Sequence, residues 1–267
     1  ITLVEMRGEA VLPLVASLAD PRKLMRQNAC VVLGQIGDRR AVASLKARLE
    51  DPAELAEVTS AAGEALRKIT GADPGTLPPA PVCYQRLAEG YHNADPGIVR
   101  QTSAPEETVW YFDAARKEVA GRGVPGYAYN DHMAEQACYE ALRIAPDHAP
   151  VLPTLICVTF SQMNEVDALL AIATQRLVAG ETEASEVATL KARRLALAKG
   201  RALALSTGKG PLYAALQRAM DHGEIPVAVS CCEALQALED GTWLPATPLA
   251  MELTGAWGKA RYFPDAR

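Results

Sequence analysis

The sequence predicts an all-α protein, an α-solenoid of stacked helical hairpins. The first observation is a near-repeat: residues 10–21 and 41–52 each read as an apolar helix stopped by Asp-Pro, a pattern typical of helical repeats. The second is composition, because aromatic residues make up only 5% of the chain while alanine and leucine are abundant, which suits close helix packing. The third is the 49% hydrophobic content, enough for neighbouring hairpins to bury one another's apolar faces.

Two helical hairpins are predicted between residues 8 and 71. In the first, an apolar helix breaks at Asp20-Pro21, and the 3.6-residue period resumes until Gly37 ends it. The second hairpin repeats this plan, with a break at Asp51-Pro52 and an end at Gly71. We therefore take residues 1–72 as an N-terminal repeat segment.

These hairpins resemble HEAT repeats, especially the short bacterial type similar to phycobilisome-lyase proteins. In that family, an aspartate in the first turn and an arginine six residues later form hydrogen-bonded ladders between repeats. Asp20 and Arg26 match those positions. The second repeat has Asp51 but carries Glu57 where the arginine is expected, so the resemblance implies that the ladder is broken or capped there.

Residues 73–105 are predicted to be a linker with one short helix. Proline and glycine are dense between residues 73 and 79, and neither continues a helix. A helix is expected over 82–89, followed by a polar loop. This linker separates the first repeats from a segment with a different pattern.

Residues 106–207 are predicted to be a helical segment similar to tetratricopeptide repeats. Glu106 and Glu107 would place negative charge at the start of a helix that runs into an aromatic triple, and a turn is expected from Gly121 to Gly126. The run 133–147 resembles the second helix of a tetratricopeptide repeat. Two further helices are expected, over 166–177 and 182–205.

Residues 208–267 return to a HEAT-like pattern. Helices are expected from Gly210, from Pro226 and from Thr247-Pro248. The final residues, 258–263, resemble the start of a further helix. We therefore expect either that the chain continues in a longer protein or that this tail caps the last repeat.

No residue pattern predicts a catalytic, cofactor or metal site. The four histidines form no H-E-x-x-H, and Asp131-His132 and Asp147-His148 are expected to be solvent-exposed. The six cysteines include no C-x-x-C pair and are expected to be buried thiols. Since no apolar run approaches 18 residues, we expect a soluble chain without a membrane span.

The aromatic triple Trp110, Tyr111 and Phe112 is the candidate partner-binding site. Three consecutive side chains cannot all face one core, so at least one should lie near the surface, and Trp and Tyr are frequent anchors in protein interfaces. Packing against the next hairpin is the alternative interpretation of these residues.

The predicted function is a non-catalytic protein-interaction or scaffold role, with a protein partner bound along the solenoid surface. The alternative, implied by the resemblance to phycobilisome lyases, is an enzyme that attaches or removes a tetrapyrrole chromophore. A weaker alternative is nucleic-acid binding through the basic run Lys191, Arg193, Arg194, Lys199 and Arg201. The net charge of −5 argues against that role.

Overall fold

A computed structural model describes residues 8–99 and 104–239. The chain forms two compact units, the first ending at His148 and the second beginning at Ala149. Ten α-helices and two β-strands lie in the described residues, so the predicted all-α class is confirmed. The elements are α1 Gly8–Ser17, α2 Lys23–Ile36, α3 Val42–Glu50, α4 Ala56–Thr70, α5 Ala80–His92, β1 Glu106–Asp113, β2 Glu118–Pro125, α6 Tyr129–Ile144, α7 Leu152–Val178, α8 Ala184–Ser206, α9 Lys209–Asp221 and α10 Ile225–Glu239.

The two predicted N-terminal hairpins are present as α1–α2 and α3–α4, and both Asp-Pro pairs lie in the loops between their helices. Helices α2 and α4 end at Gly37 and Gly71, whose φ angles of 76° and 72° are left-handed. Glycine adopts this conformation at little cost. The turn chemistry read from the sequence therefore ends these helices as expected.

Helices α2 and α4 pack directly against each other, and they approach closely at Gly34. A Cβ atom on Gly34 would lie 2.7 Å from the Cα of Ala65 in α4. The apolar faces of α1 to α4 form one core that includes the fully buried Leu33, Leu45 and Leu66. Each hairpin thus covers the apolar side of the other, as a repeat architecture requires.

A β-hairpin replaces the helix predicted after Glu106 and Glu107. Strands β1 and β2 pair antiparallel, with Trp110 opposite Gly121, so the turn predicted from Gly121 to Gly126 is also wrong. The hairpin lies in the connection between α5 and α6, which pack together as a third helical pair. Both strands contact α1, and β1 also contacts α6.

The structure differs from the predicted segments in the length of α5 and in the place where the chain divides into two units. Helix α5 is longer than the predicted 82–89 helix, and it packs on α3 and α6. Its residues Ala80, Tyr84 and Tyr91 are buried. The division after His148 falls inside the predicted segment 106–207. The boundaries at 72, 105 and 207, which describe kinds of repeat rather than compact units, stay predictions.

The second unit consists of α7 to α10 within its described part, residues 149–239. Helices α7 and α8 pack along each other, and α9 and α10 form a pair that packs on α7. The core holds Phe160, Leu197, Leu212 and Cys231. Helices predicted over 182–205 and from Gly210 and Pro226 are present as α8, α9 and α10, whereas the expectations for 247–253 and 258–263 lie outside the described residues.

Residues 149–178, which include α7, are long and apolar enough to cross a membrane by length and composition. Half of their most apolar window is buried against other parts of the protein. The core helix of a globular protein meets the same criteria, so this feature is weak evidence for a membrane span.

Candidate partner-binding groove

A groove in the first unit holds a cavity of about 190 Å³. Helices α1, α3, α5 and α6 and strand β1 line it, so residues from both N-terminal hairpins, the third helical pair and the β-hairpin meet there. Nine lining residues are aliphatic, alanine or methionine, which lets the walls accept an apolar group. These apolar lining residues are Leu12, Val15, Ala16, Leu18, Ala19, Ala47, Leu87, Met133 and Ala137.

The predicted aromatic triple forms one wall of this groove. Trp110, Tyr111 and Phe112 all line the cavity, and each is partly exposed. The ring of Trp110 lies over Gly121 on the paired strand, where a Cβ atom would come within 3.4 Å of the ring. Successive strand residues point to opposite faces. Trp110 and Phe112 therefore share one face of β1, and Tyr111 lies on the other face, an arrangement that the predicted helix would not give.

Arg40 supplies a buried cation to the lining. Its Nε and Nη2 atoms donate to the two carboxylate oxygens of Asp38 at 3.0 and 2.8 Å, and Nη2 also donates to the carbonyl oxygen of Gly8 at 2.8 Å. Burial alone would lower the pKa of the guanidinium, but the hydrogen bonds to Asp38 raise it overall. Arg40 therefore stays charged inside the fold.

Two more arginines, Arg48 and Arg143, also line the groove. Nη1 of Arg48 contacts the carboxylates of Asp51 and Glu54 at 3.4 and 3.3 Å. Nε and Nη2 of Arg143 donate to one carboxylate oxygen of Glu140 at 3.0 and 2.7 Å. Glu140 supplies the lining's single carboxylate, so the groove surface carries more cationic than anionic side chains.

Two buried tyrosines of α5 complete the polar part of the lining. The hydroxyl of Tyr84 donates to the hydroxyl oxygen of Ser44 at 3.0 Å, and burial raises the pKa of Tyr84. Tyr91 is 2% exposed, and its hydroxyl has no partner of normal hydrogen-bond geometry among the described residues. Burial also raises the pKa of Tyr91, while the nearby Arg40 lowers it. A buried hydroxyl without a partner is costly, and this one lies at the groove.

The residues of the predicted ladder lie between the first two hairpins. Arg26 donates through Nη1 to the backbone carbonyl of Asp20 at 2.8 Å, while the Asp20 carboxylate pairs with Arg22. The main partner of Arg26 is Glu54, which accepts from Nε and Nη2 at 2.8 and 2.6 Å. Asp51 accepts from the Ala53 backbone N–H at 3.0 Å.

Glu54 is the residue that sequence reasoning missed in this contact. Its side chain is 1% exposed and joins the loop after α3 to Arg26 of α2. The hydrogen bond from Arg26 lowers its pKa against the opposing effect of burial. Glu57, expected to interrupt the ladder, pairs with Lys23 of α2 at the surface. Ion pairs therefore connect the two hairpins at both positions.

The histidine pairs are only partly exposed, contrary to prediction. His132 is 4% exposed, and its Nε2 accepts from Arg122 of β2 at 3.2 Å. Asp131 contacts Nδ1 of His92 at 2.8 Å. Of the four residues only Asp147 is exposed, since His148 is half-buried beside Gln85. In the described residues, no three or more His, Cys, Asp or Glu side chains cluster in a way that suits a metal ion.

The basic run lies on α8 of the second unit. Arg194 forms an ion pair with Asp167 of α7, so its charge is already engaged. Lys191 and Lys199 are exposed. Asp167 therefore places a negative charge beside the basic run, which weakens the field of the run.

Residues 11–104 match the family model of HEAT repeats. The match spans α1 to α5 and ends just before β1, so this part of the chain is similar to HEAT repeats, as the sequence predicted. No curated protein and no solved structure matches the chain. The finer resemblances, to phycobilisome lyases and to tetratricopeptide repeats, stay predictions.

Proposed function

We propose that this chain is a non-catalytic protein-interaction module that binds a segment of a partner protein in the groove of its first unit. The observation that carries the proposal is the aromatic wall of Trp110, Tyr111 and Phe112 beside an apolar cavity. Interface hot spots are typically Trp, Tyr or Arg side chains in well-packed, desolvated pockets. HEAT-type repeats, which the neighbouring helices resemble, present extended surfaces for partners.

The size of the cavity favours a side chain over a large chromophore. A cavity of about 190 Å³ is below the roughly 300–1,000 Å³ usual for small-molecule sites. An apolar cavity of about 150 Å³ already accommodates a benzene ring. This supports an aromatic or aliphatic anchor from a partner and gives no support to a tetrapyrrole, which is several times larger than benzene.

The proposal is tested by filling the cavity from inside. Ala47 of α3 lines the groove and is only half-buried, so Ala47→Phe should block a partner's anchor without disturbing the core of the hairpins. Affinity purification from the native source is compared for the wild-type chain, Ala47→Phe and the matched control Ala192→Phe, which changes an exposed residue of α8.

We expect Ala47→Phe to lose the proteins that the wild-type chain retains, and Ala192→Phe to keep them. Circular dichroism should show the same helicity for all three proteins. The variant Tyr111→Ala should weaken the same partners. If the retained proteins are identical for Ala47→Phe and the wild-type chain, the groove is not the binding surface.

A further inference from the structure

We propose that the groove recognises a peptide segment of a partner in which one large apolar side chain is flanked on both sides by carboxylates. This inference rests on the proposed function and adds the chemistry of the partner. The apolar side chain would enter the cavity beside Trp110 and Phe112, and the carboxylates would meet arginines of the lining.

The arginines have N–H groups left over for a ligand. The hydrogen bonds of Arg40 engage Nε and Nη2, and those of Arg143 engage the same two atoms. The ion pairs of Arg48 engage Nη1 alone. A guanidinium group carries five N–H donors, so each arginine keeps donors beyond those that its described carboxylate and carbonyl partners engage.

The carboxylates that neutralise Arg40 and Arg48 lie outside the groove surface, whereas Glu140, the partner of Arg143, is itself a lining residue. Asp38, Asp51 and Glu54 are not lining residues, whereas their arginine partners Arg40 and Arg48 are. A ligand in the groove therefore meets the guanidinium groups before it meets the acids behind them. The complementary ligand is rich in hydrogen-bond acceptors and negatively charged.

The hydroxyl of Tyr91 gives a second observation in support of a ligand carboxylate. It is buried in the lining beside Arg40, and no described residue meets it at normal hydrogen-bond geometry. A ligand carboxylate placed there would accept from the hydroxyl and from Nη1 of Arg40 together. Binding would then give a well-formed hydrogen bond to a buried hydroxyl that lacks one among the described residues.

The backbone positions of two cations suggest the spacing of the ligand's charges. Arg40 and Arg48 are eight residues apart along the short 3₁₀ turn and α3, so their Cα atoms are separated by about 12 Å along the axis. An extended peptide rises about 3.3 Å per residue, so carboxylates four residues apart match this length. The apolar residue then lies midway, over the cavity.

The test uses the full chain and two steps. A displayed library of random twelve-residue peptides is first selected against the protein, and we expect enrichment of aromatic or large aliphatic residues with Asp or Glu two positions to either side. Fluorescence anisotropy then compares peptides with the core Asp-Ala-Phe-Ala-Asp, its Asn-Ala-Phe-Ala-Asn counterpart and Asp-Ala-Ala-Ala-Asp, all within the selected flanking sequence.

We expect the two Asp→Asn changes to weaken binding about tenfold and the Phe→Ala change to abolish it. On the protein, Arg48→Gln should weaken the acidic peptide several-fold and leave the amide peptide unchanged. The side chain of Arg48 is 24% exposed, and Glu54 keeps its ion pair with Arg26, so this variant should still fold. The control Arg116→Gln changes an exposed arginine of the β-hairpin that does not line the groove, and it should leave both peptides unchanged.

Equal binding of the acidic and amide peptides would overturn the charge requirement while leaving the apolar anchor, and hence the proposed function, intact. Selection of lysine- or arginine-rich peptides, or of none, would overturn the inference. A monomer–dimer equilibrium abolished by Ala47→Phe would identify a second copy as the occupant. A crosslink from the groove to residues 240–267 that excludes every peptide would identify the chain's own C-terminal segment. Either result would overturn the inference as well.

Discussion

The substitution Glu54→Gln should destabilise the contact between the first two hairpins. Glu54 accepts from Nε and Nη2 of Arg26 and from Nη1 of Arg48, at 2.8, 2.6 and 3.3 Å. Its side chain is 1% exposed and that of Arg26 is 14% exposed, so water replaces the lost charge poorly. Glutamine keeps one acceptor oxygen but leaves two guanidinium groups without their shared negative charge.

The magnitude follows from these contacts. Removing one partner of a buried ion pair costs about 3–5 kcal/mol, and the acceptor that glutamine retains, together with the partial exposure of Arg26, reduces this to about 2 kcal/mol. With a urea dependence of about 2 kcal/mol per M for a unit of this size, the unfolding midpoint of the first unit should fall by about 1 M.

The assay is urea unfolding followed by circular dichroism, with tryptophan fluorescence as a second probe. Glu57→Gln is the matched control because it removes an exposed carboxylate that pairs with the same helix, α2, through Lys23. We expect a far smaller shift for Glu57→Gln than for Glu54→Gln. If the two variants shift the midpoint equally, the buried Arg26–Glu54 ion pair stabilises the protein no more than the exposed Lys23–Glu57 pair, and the reasoning fails.

Three further outcomes follow from the structure. Arg26 lowers the pKa of Glu54 in the folded protein. The stabilisation that ionised Glu54 contributes is therefore complete above about pH 4.5 and is lost as the pH falls through the pKa of Glu54 in the folded state. The difference in urea midpoint between the wild-type chain and Glu54→Gln should shrink in acid. Gly34→Ala should destabilise the chain because its Cβ meets the backbone of α4, whereas Gly63→Ala, whose Cβ has ordinary contacts, should be neutral or stabilising in thermal unfolding. Burial raises the pKa of Cys30 to about 12, so iodoacetamide should label the exposed Cys232 in the native protein and leave Cys30 unmodified, as read by mass spectrometry.

The helical hairpins were predictable because their signals are local. The Asp-Pro pairs and the glycines at positions 37 and 71 each mark the end of a helix within a few residues of sequence. Apolar positions with a 3.6-residue period then place the buried face. None of these signals depends on a distant part of the chain.

The β-hairpin was mistaken for a helix because its alternation is obscured. Residues 109–112 are continuously apolar and partly or fully buried, so a period of two is not visible. The acidic pair at 106 and 107 also imitates a helix start. The β-branched and aromatic composition of β1 and the alternating glycines of β2 were the available signals for strands.

The candidate site was only partly accessible from sequence. The aromatic triple was singled out as partner-binding, and the structure places it on the wall of the groove; that role stays a prediction. Arg40, Arg48 and Arg143 come from separate elements, and Glu54 meets Arg26 across 28 positions of the chain. Such encounters depend on how the hairpins pack, which no local pattern encodes.

The β-hairpin and the helical repeats have separate structural roles in the first unit. The repeats supply rigidity, while a single insertion between α5 and α6 supplies the wall that meets the cavity. Exchanging that insertion for another of similar length would reshape recognition without disturbing the interlocked repeats. The scaffold thus offers a place where new specificities can be grafted, much as antibody frameworks carry interchangeable loops.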